Sequence, residues 1–403
     1  MKKSQAILLL TAGLFYSSFA QSDKRVLTFA ASIEQEKKSD FLGAIETMKS
    51  LNDTVSYDIT LRLGWLYYKA GLTAKSLALY TNAIKIKPQA IEPRYGYSFP
   101  AYLAGDYKDL IEQDNKILEI DPKNKIVNAN LGLIYYYKKD YTKAIPYFEK
   151  VVSLYPFDYD NNLMLAWSYL KLSKNDSAEQ CFNTILLYSP KDVSALDGLS
   201  TIKKTQAING IMNAGFLKSY ELSEKSDYKG ASTALLEIYD KDSYAINLRL
   251  GWLNYLAGLQ KESVNYYKIA ATLRPQALEA KLGCAIPAEV LGNKNDLKAH
   301  YESALSIDPH NTYVIYKLGM IAYDQKDYAA AKAHFEKLLN LYPCDTDGLL
   351  MLAWTNYYLG KTTESISLFN KVLCLSPSNE SAIYGLSLKT LEKTKNTPVL
   401  KAK

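Results

Sequence analysis

Residue types that catalyse reactions or bind metals are scarce in this sequence of 403 residues. Its three histidines, His300, His310 and His334, are not spaced with cysteines or carboxylates as a zinc ligand set requires. Asp121 and Asp308 each stand in an Ile-Asp-Pro sequence, where a turn role is favoured over general-acid catalysis. No phosphate-binding loop or nucleophile elbow stands out. We therefore expect no enzyme, no metal and no cofactor.

Aromatic residues are the unusual feature, with 34 Tyr beside 11 Phe and 4 Trp. The composition is 48% apolar and 22% charged, which is typical of a chain with a substantial core and excludes disordered and fibrous classes. The formal net charge is +6, and Lys2 and Lys3 belong to an apparent export signal. The remainder is only mildly basic, so we expect no nucleic-acid partner.

The N-terminus has the pattern of a signal peptide over residues 1–20. Lys2 and Lys3 precede an apolar run from Ala6 to Phe15, and Ala20 ends a small-residue cleavage pattern. The apolar run is too short to span a bilayer, and no later run is long enough. We expect an exported protein, periplasmic or secreted, without an integral membrane segment in the mature chain.

Prolines reveal an internal repeat. They recur 34 residues apart in two series, at Pro88, Pro122, Pro156 and Pro190 and at Pro275, Pro309, Pro343 and Pro377. Each member of the second series lies 187 residues after its counterpart, and the run from Leu61 to Trp65 returns unchanged from Leu248 to Trp252. The sequence therefore predicts two copies of one repetitive unit.

Each 34-residue block has the apolar spacing of two helices separated by a polar break. Small residues recur where the helices of such a hairpin cross, and large residues fill the neighbouring gap, at Tyr80, Phe148, Phe182, Tyr267, Phe335 and Phe369. Full blocks are predicted at 57–90, 91–124, 125–158, 159–192, 244–277, 278–311, 312–345 and 346–379. Shorter hairpins are predicted at 25–55 and 212–242.

The blocks resemble the tetratricopeptide repeat (TPR) family. In block 125–158 the family's spacing is matched by Leu131, Gly132, Tyr135, Tyr141, Ala144, Phe148 and Pro156. The resemblance implies an all-α, right-handed superhelical solenoid of stacked antiparallel hairpins. We expect a first array over 21–208, a seam at 209–215, a second array over 216–392 and a flexible basic tail at 393–403, each array ending in a lid helix.

All four tryptophans occupy one equivalent site, 23 residues before the proline of their block. By resemblance to the family, this helix face lines the concave groove. The groove residues predicted on that basis are Trp65, Trp167, Trp252 and Trp354, with Phe99, Tyr68, Tyr102, Tyr136, Tyr255, Tyr323 and Tyr357, and with Arg62 and Arg249 as polar contacts. Alternatively, the aromatic rings fill the contacts between neighbouring first helices.

The four cysteines repeat no disulfide framework. An antiparallel hairpin would bring Cys344 and Cys374 to the same end, where a disulfide in an oxidising compartment is one alternative and two thiols the other. Cys181 and Cys284 are expected to be packed thiols.

These patterns favour a non-enzymatic scaffold that binds a protein or peptide in an aromatic groove outside the cytoplasm. The family's clamp for a terminal carboxylate is not recognisable. Two alternatives stay open, a glycan-binding protein of the cell envelope and a structural spacer without a groove ligand. The oligomeric state is not predicted.

Overall fold

A computed structural model describes residues 24–53, 55–202 and 210–395, which contain helices and turns and no strand. The first copy contributes α1 (Lys24–Lys37), α2 (Phe41–Lys49), α3 (Tyr57–Lys69), α4 (Thr73–Ile86), α5 (Glu92–Ala104), α6 (Tyr107–Ile120), α7 (Lys125–Tyr137), α8 (Tyr141–Leu154), α9 (Tyr159–Lys171), α10 (Asn175–Tyr188) and α11 (Val193–Thr201). The second contributes α12 (Gly210–Glu224), α13 (Tyr228–Leu236), α14 (Tyr244–Leu256), α15 (Gln260–Leu273), α16 (Leu278–Leu291), α17 (Lys294–Ile307), α18 (Thr312–Asp324), α19 (Tyr328–Leu341), α20 (Thr346–Tyr358), α21 (Thr362–Leu375) and α22 (Glu380–Lys395).

The predicted helix pairs are confirmed. Every full block contains two helices, and its proline lies in the turn that follows the second one. The short hairpins are α1 with α2 and α12 with α13. At the predicted seam, residues 210–215 begin α12, whereas 203–209 lie outside the described residues. The basic tail was predicted from residue 393, but α22 runs to Lys395; the signal peptide and residues 396–403 also lie outside.

Aspartates begin many of the helices. A side-chain oxygen of Asp140, Asp158, Asp192 and Asp345 accepts a hydrogen bond from the backbone N–H three residues later. Such N-caps satisfy a donor that the helix itself leaves without a partner. Asp121 has the expected turn role, because it accepts hydrogen bonds from the Asn124 side chain and the Lys123 backbone.

The hairpins pack as the small and large residues predict. The six large residues of the second helices are all buried, and Phe148 and Phe182 are completely inaccessible to solvent. A Cβ at Gly132 would lie 2.5 Å from the Phe148 ring, which is closer than packing allows. Glycine therefore sets the distance between α7 and α8.

The described chain forms two compact units that do not follow the two copies. The first unit consists of two segments, the described residues up to Gln113 and those from Ala322 onward. The second unit is the segment from Asp114 to Ile321. Within the first unit, α1 and α2 share a core with α20, α21 and α22, in which Phe29 lies in the same cluster as Phe369. Within the second unit, α12 packs against α10. The start of each copy therefore packs on the end of the other.

No helix among the described residues combines the length and the apolar character that crossing a membrane requires.

Candidate functional site

A pocket of about 320 Å³ lies in the first unit, beside the first helices of blocks 57–90 and 91–124. Its lining contains three of the predicted groove residues, Arg62, Trp65 and Phe99. The other lining residues are Asp58, Leu61, Tyr80, Glu92, Tyr95, Gly96, Cys344 and Leu375. The pocket has the mainly apolar and aromatic lining, with a few polar groups, that is typical of ligand sites.

Three aromatic residues form a cluster at this pocket. The ring centroids of Trp65 and Tyr68 are 5.5 Å apart, those of Tyr68 and Phe99 5.8 Å, and those of Trp65 and Phe99 6.4 Å. One turn of helix places Trp65 and Tyr68 on the same face of α3, and α5 supplies the third ring. The rings support one another, which fixes their orientation before any ligand arrives.

The end of α5 presents an exposed apolar surface. Phe99 is 51% exposed, Tyr102 is 62% exposed, and Leu103 is similarly open to solvent. The corresponding helix of the second copy, α16, exposes Val290 and Leu291. Large apolar side chains that are exposed together often mark a binding surface.

The charged groups of the pocket are paired within the chain. Glu36 of α1 accepts hydrogen bonds from the guanidinium of Arg62 and, at 2.6 Å, from the indole Nε1 of Trp65. Glu92 accepts a hydrogen bond from the Tyr57 hydroxyl at 2.9 Å, and burial raises the pKa of Glu92. A ligand that enters the pocket would therefore meet an Arg62 side chain whose charge is already neutralised by Glu36.

Trp167 and Trp354 differ from Trp65 in their surroundings. Their ring centroids lie 5.3 Å and 5.0 Å from those of Phe182 and Phe369, and both side chains are partly buried. Their Nε1 atoms donate to the hydroxyls of Ser194 and Ser381, which belong to the lid helices α11 and α22. These contacts pack each of the two tryptophans against the second helix of its own block and against the lid helix that follows.

The remaining predicted aromatics form separate groups. In the first unit, the ring centroids of Tyr357 and Trp354 are 5.7 Å apart, and those of Tyr323 and Tyr328 are 5.6 Å apart. In the second unit, Tyr136 contacts Tyr141 at 5.3 Å. Also in the second unit, Trp252 and Tyr255 are 5.6 Å apart, and Arg249 stacks on Tyr220. The predicted residues thus occupy several local clusters within the two units.

No disulfide joins Cys344 and Cys374 in the structure. Cys374 is buried in the core of the first unit. Cys344 lies in a turn, where its backbone N–H donates to Glu92 and burial raises the pKa of its thiol far above the ordinary value. Cys181 and Cys284 are packed thiols, as predicted, and burial raises the pKa of both to about 12. Among the described residues, no group of three or more His, Cys, Asp and Glu side chains could hold a metal ion.

Sequence reasoning missed Glu36, Glu92 and Tyr95 as residues of this site. Glu36 lies in the degenerate hairpin, where the repeat pattern gives no register for a contact with Arg62. Tyr95 stacks on Tyr342, with ring centroids 6.4 Å apart, across a separation in sequence that periodicity does not report. A residue-by-residue comparison of the two copies would have drawn attention to Glu36, because Ser223 stands in its place.

The geometry defines a protein built of stacked helical hairpins. Residues 135–201 and 312–343 match family models described as tetratricopeptide repeat. These two segments are therefore tetratricopeptide repeats, as predicted, and the described residues form an all-α fold of stacked helical hairpins. Repeats of this family serve as modules for protein interaction.

Solved structures similar to this chain include MamA, with 17% identity, 48% of this chain and 100% of that chain covered, and a TM-score of 0.38. A TPR protein from Parabacteroides merdae has 14% identity, covers 66% and 99%, and has a TM-score of 0.38. The Naa15/Naa10 complex bound to HypK-THB has 15% identity, covers 93% and 67%, and has a TM-score of 0.34.

Proposed function

We propose that this protein is a scaffold that binds an apolar segment of another protein at the pocket and at the exposed end of α5. The observation that carries the proposal is the exposure of Phe99 and Tyr102 beside a preformed ring cluster. A partner that covers these side chains removes their exposed apolar surface from water. Little side-chain freedom is lost, because few torsions remain to be fixed. The pocket beside Trp65 would accept one anchoring side chain.

The polar groups favour a partner whose anchoring residue is uncharged. Arg62 and Glu36 already form an ion pair, so a charged side chain entering the pocket would lose its hydration without gaining a counter-ion. Glu92 is held by Tyr57 and by the Cys344 backbone. An apolar or aromatic anchor avoids this cost.

Selection from a displayed library of linear peptides tests the proposal, with the affinity of the selected peptides measured by fluorescence anisotropy. Phe99→Ala and Tyr102→Ala should each weaken binding about tenfold or more, as expected for central anchors. Tyr137→Ala is the matched control, because Tyr137 is 75% exposed and lies outside the pocket lining. Equal affinities for all three variants would contradict the proposal.

Binding measurements on the unmodified protein also test the two alternatives, a glycan-binding role and a structural spacer. Quenching of tryptophan fluorescence by envelope oligosaccharides, without any selected peptide, would favour a glycan-binding role. If the protein binds neither oligosaccharides nor any selected peptide, a role as a structural spacer is favoured.

We further propose that the protein acts outside the cytoplasm. The support is the charged, apolar and small-residue pattern of residues 1–20. N-terminal sequencing of the protein from its native cell should begin at Gln21, and a chain that retains Lys2 and Lys3 would contradict export.

A further inference from the structure

An arginine that occurs in both copies differs between them in its hydrogen bonds. Arg62 and Arg249 occupy equivalent positions, each three residues before a tryptophan. In the first copy, the Arg62 guanidinium donates to Glu36 and, at 3.1 Å and 3.3 Å, to the hydroxyl of Ser32. The indole of Trp65 donates to the second oxygen of the same carboxylate. One carboxylate therefore satisfies an arginine and a tryptophan together.

The second copy keeps the donors and lacks the carboxylate. Ser223 stands where the first copy has Glu36, and Ser219 corresponds to Ser32. The Nε and Nη2 atoms of Arg249 and the Oγ atom of Ser219 are buried without a hydrogen-bond partner. Trp252 is 40% exposed. Because buried donors without partners are costly, this group of side chains is incomplete as it stands.

Tyr220 holds the guanidinium in place from one side. The Arg249 Cζ atom lies 3.7 Å from the centroid of the Tyr220 ring, where the first copy has Ile33. Burial lowers the pKa of Arg249, and among the described residues no carboxylate pairs with it. Stacking on a ring orients the planar group and does not engage its N–H donors, which lie in the plane.

At a neighbouring ion pair of the first copy, the second copy has replaced both charged residues. In the first copy Arg25 pairs with Asp58. The corresponding residues of the second copy are Met212 and Ala245, which belong to one apolar cluster. Both charges were replaced there together, whereas at Arg249 only the acid is missing.

We propose that Arg249, Trp252 and Ser219 form a binding site for one carboxylate group of a partner. Glu36 shows the position and the donors of such a group in the first copy, where the chain supplies its own ligand. The partner is an acidic peptide segment, and its carboxylate comes from a side chain or from a chain terminus. This inference extends the proposed function, but its site is separate from the pocket at Trp65.

Arginine side-chain NMR tests the site directly, since the sequence contains five arginines and Arg249→Lys assigns the signal. The probes are three short peptides: an amidated one with a central Glu, its Gln counterpart, and the Gln peptide with a free C-terminus. We expect the Arg249 Nε–H signal to shift with either carboxylate source and binding to the amidated Gln peptide to be about tenfold weaker or absent. A response to the Glu peptide identifies a side chain as a source, and a response to the free C-terminus identifies a chain end.

A reciprocal exchange between the copies provides the control. Ser223→Glu should fill the site from within the chain and abolish the response, and Glu36→Ser should create a second responding arginine at Arg62. No shift of Arg249 with either carboxylate, or an unchanged response in Ser223→Glu, would overturn the proposal. Loss of the response in Ser223→Glu with unchanged effects of Phe99→Ala separates this site from the pocket.

Discussion

The carboxylate of Glu92 accepts a hydrogen bond from the backbone N–H of Cys344 at 3.1 Å. These residues come from different copies, and both belong to the first compact unit. The second unit repeats the arrangement: Glu279 accepts from the Phe157 backbone at 3.3 Å and from the Tyr244 hydroxyl at 2.8 Å. In both units a partly buried glutamate joins a helix of one copy to a turn of the other.

These glutamates predict how stability depends on pH. Burial, the largest cause, raises the pKa of Glu279 to about 7. The native state therefore binds this proton more tightly than the unfolded chain, whose glutamates titrate near pH 4.3, so the free energy of unfolding falls as pH rises between about 4.3 and 7. Glu279→Gln should remove this part of the decline, worth roughly 4 kcal/mol at most.

Urea unfolding followed by circular dichroism between pH 5 and pH 8 measures the effect, and Glu119→Gln, an exposed carboxylate, is the control. A decline of equal slope in Glu279→Gln and in the unmodified protein would show that another group is responsible.

Glu36 should stabilise the first copy measurably. Glu36→Gln removes the charge that neutralises Arg62 in a partly buried ion pair, and we expect a loss of about 1–3 kcal/mol in the free energy of unfolding. Glu46→Gln breaks an exposed pair with Lys49 and should cost much less, because solvent screens that pair. Equal unfolding midpoints in urea for the two variants would be inconsistent with the site described at Arg62.

The glycines at the hairpin crossings predict a graded series. Gly132→Ala places a Cβ 2.5 Å from the Phe148 ring, and Gly64→Ala places one 3.2 Å from the Tyr80 ring. Because Phe148 is fully buried and cannot move aside, we expect Gly132→Ala to destabilise by about 1–3 kcal/mol. Gly64→Ala should cost clearly less, and thermal unfolding compares the two. The reverse order would mean that these crossings are not set by backbone proximity.

The N-terminal hairpin should protect helices near the other end of the chain. Phe29 and Met48 share a core with Phe369 and Val372, so deleting residues 24–55 exposes apolar surface on α21. Hydrogen exchange should become faster in α20 and α21 and stay slow in α14 and α15, which belong to the second unit. Unchanged exchange in α21 would contradict the shared core.

The sequence predicts local structure better than contacts between the copies. Period and small-residue spacing place all eight helix pairs, because each hairpin is specified by its own 34 residues. The contacts that complete the pocket, from Glu36 and from Cys344, depend on which hairpins meet, and a repeat pattern does not encode that. The four tryptophans illustrate this: one register predicts one role, but Trp167 and Trp354 bond to serines of lid helices while Trp252 stays exposed.

The function that we propose is the binding of a protein partner at the aromatic surface at the end of α5. A photo-reactive phenylalanine analogue at position 99, introduced in the native cell and irradiated there, tests this claim most directly, with the same analogue at position 137 as control. We expect a covalent adduct with a discrete partner protein at position 99 that is absent at position 137. Adducts of equal yield at both positions, or none at position 99, would contradict the proposed function.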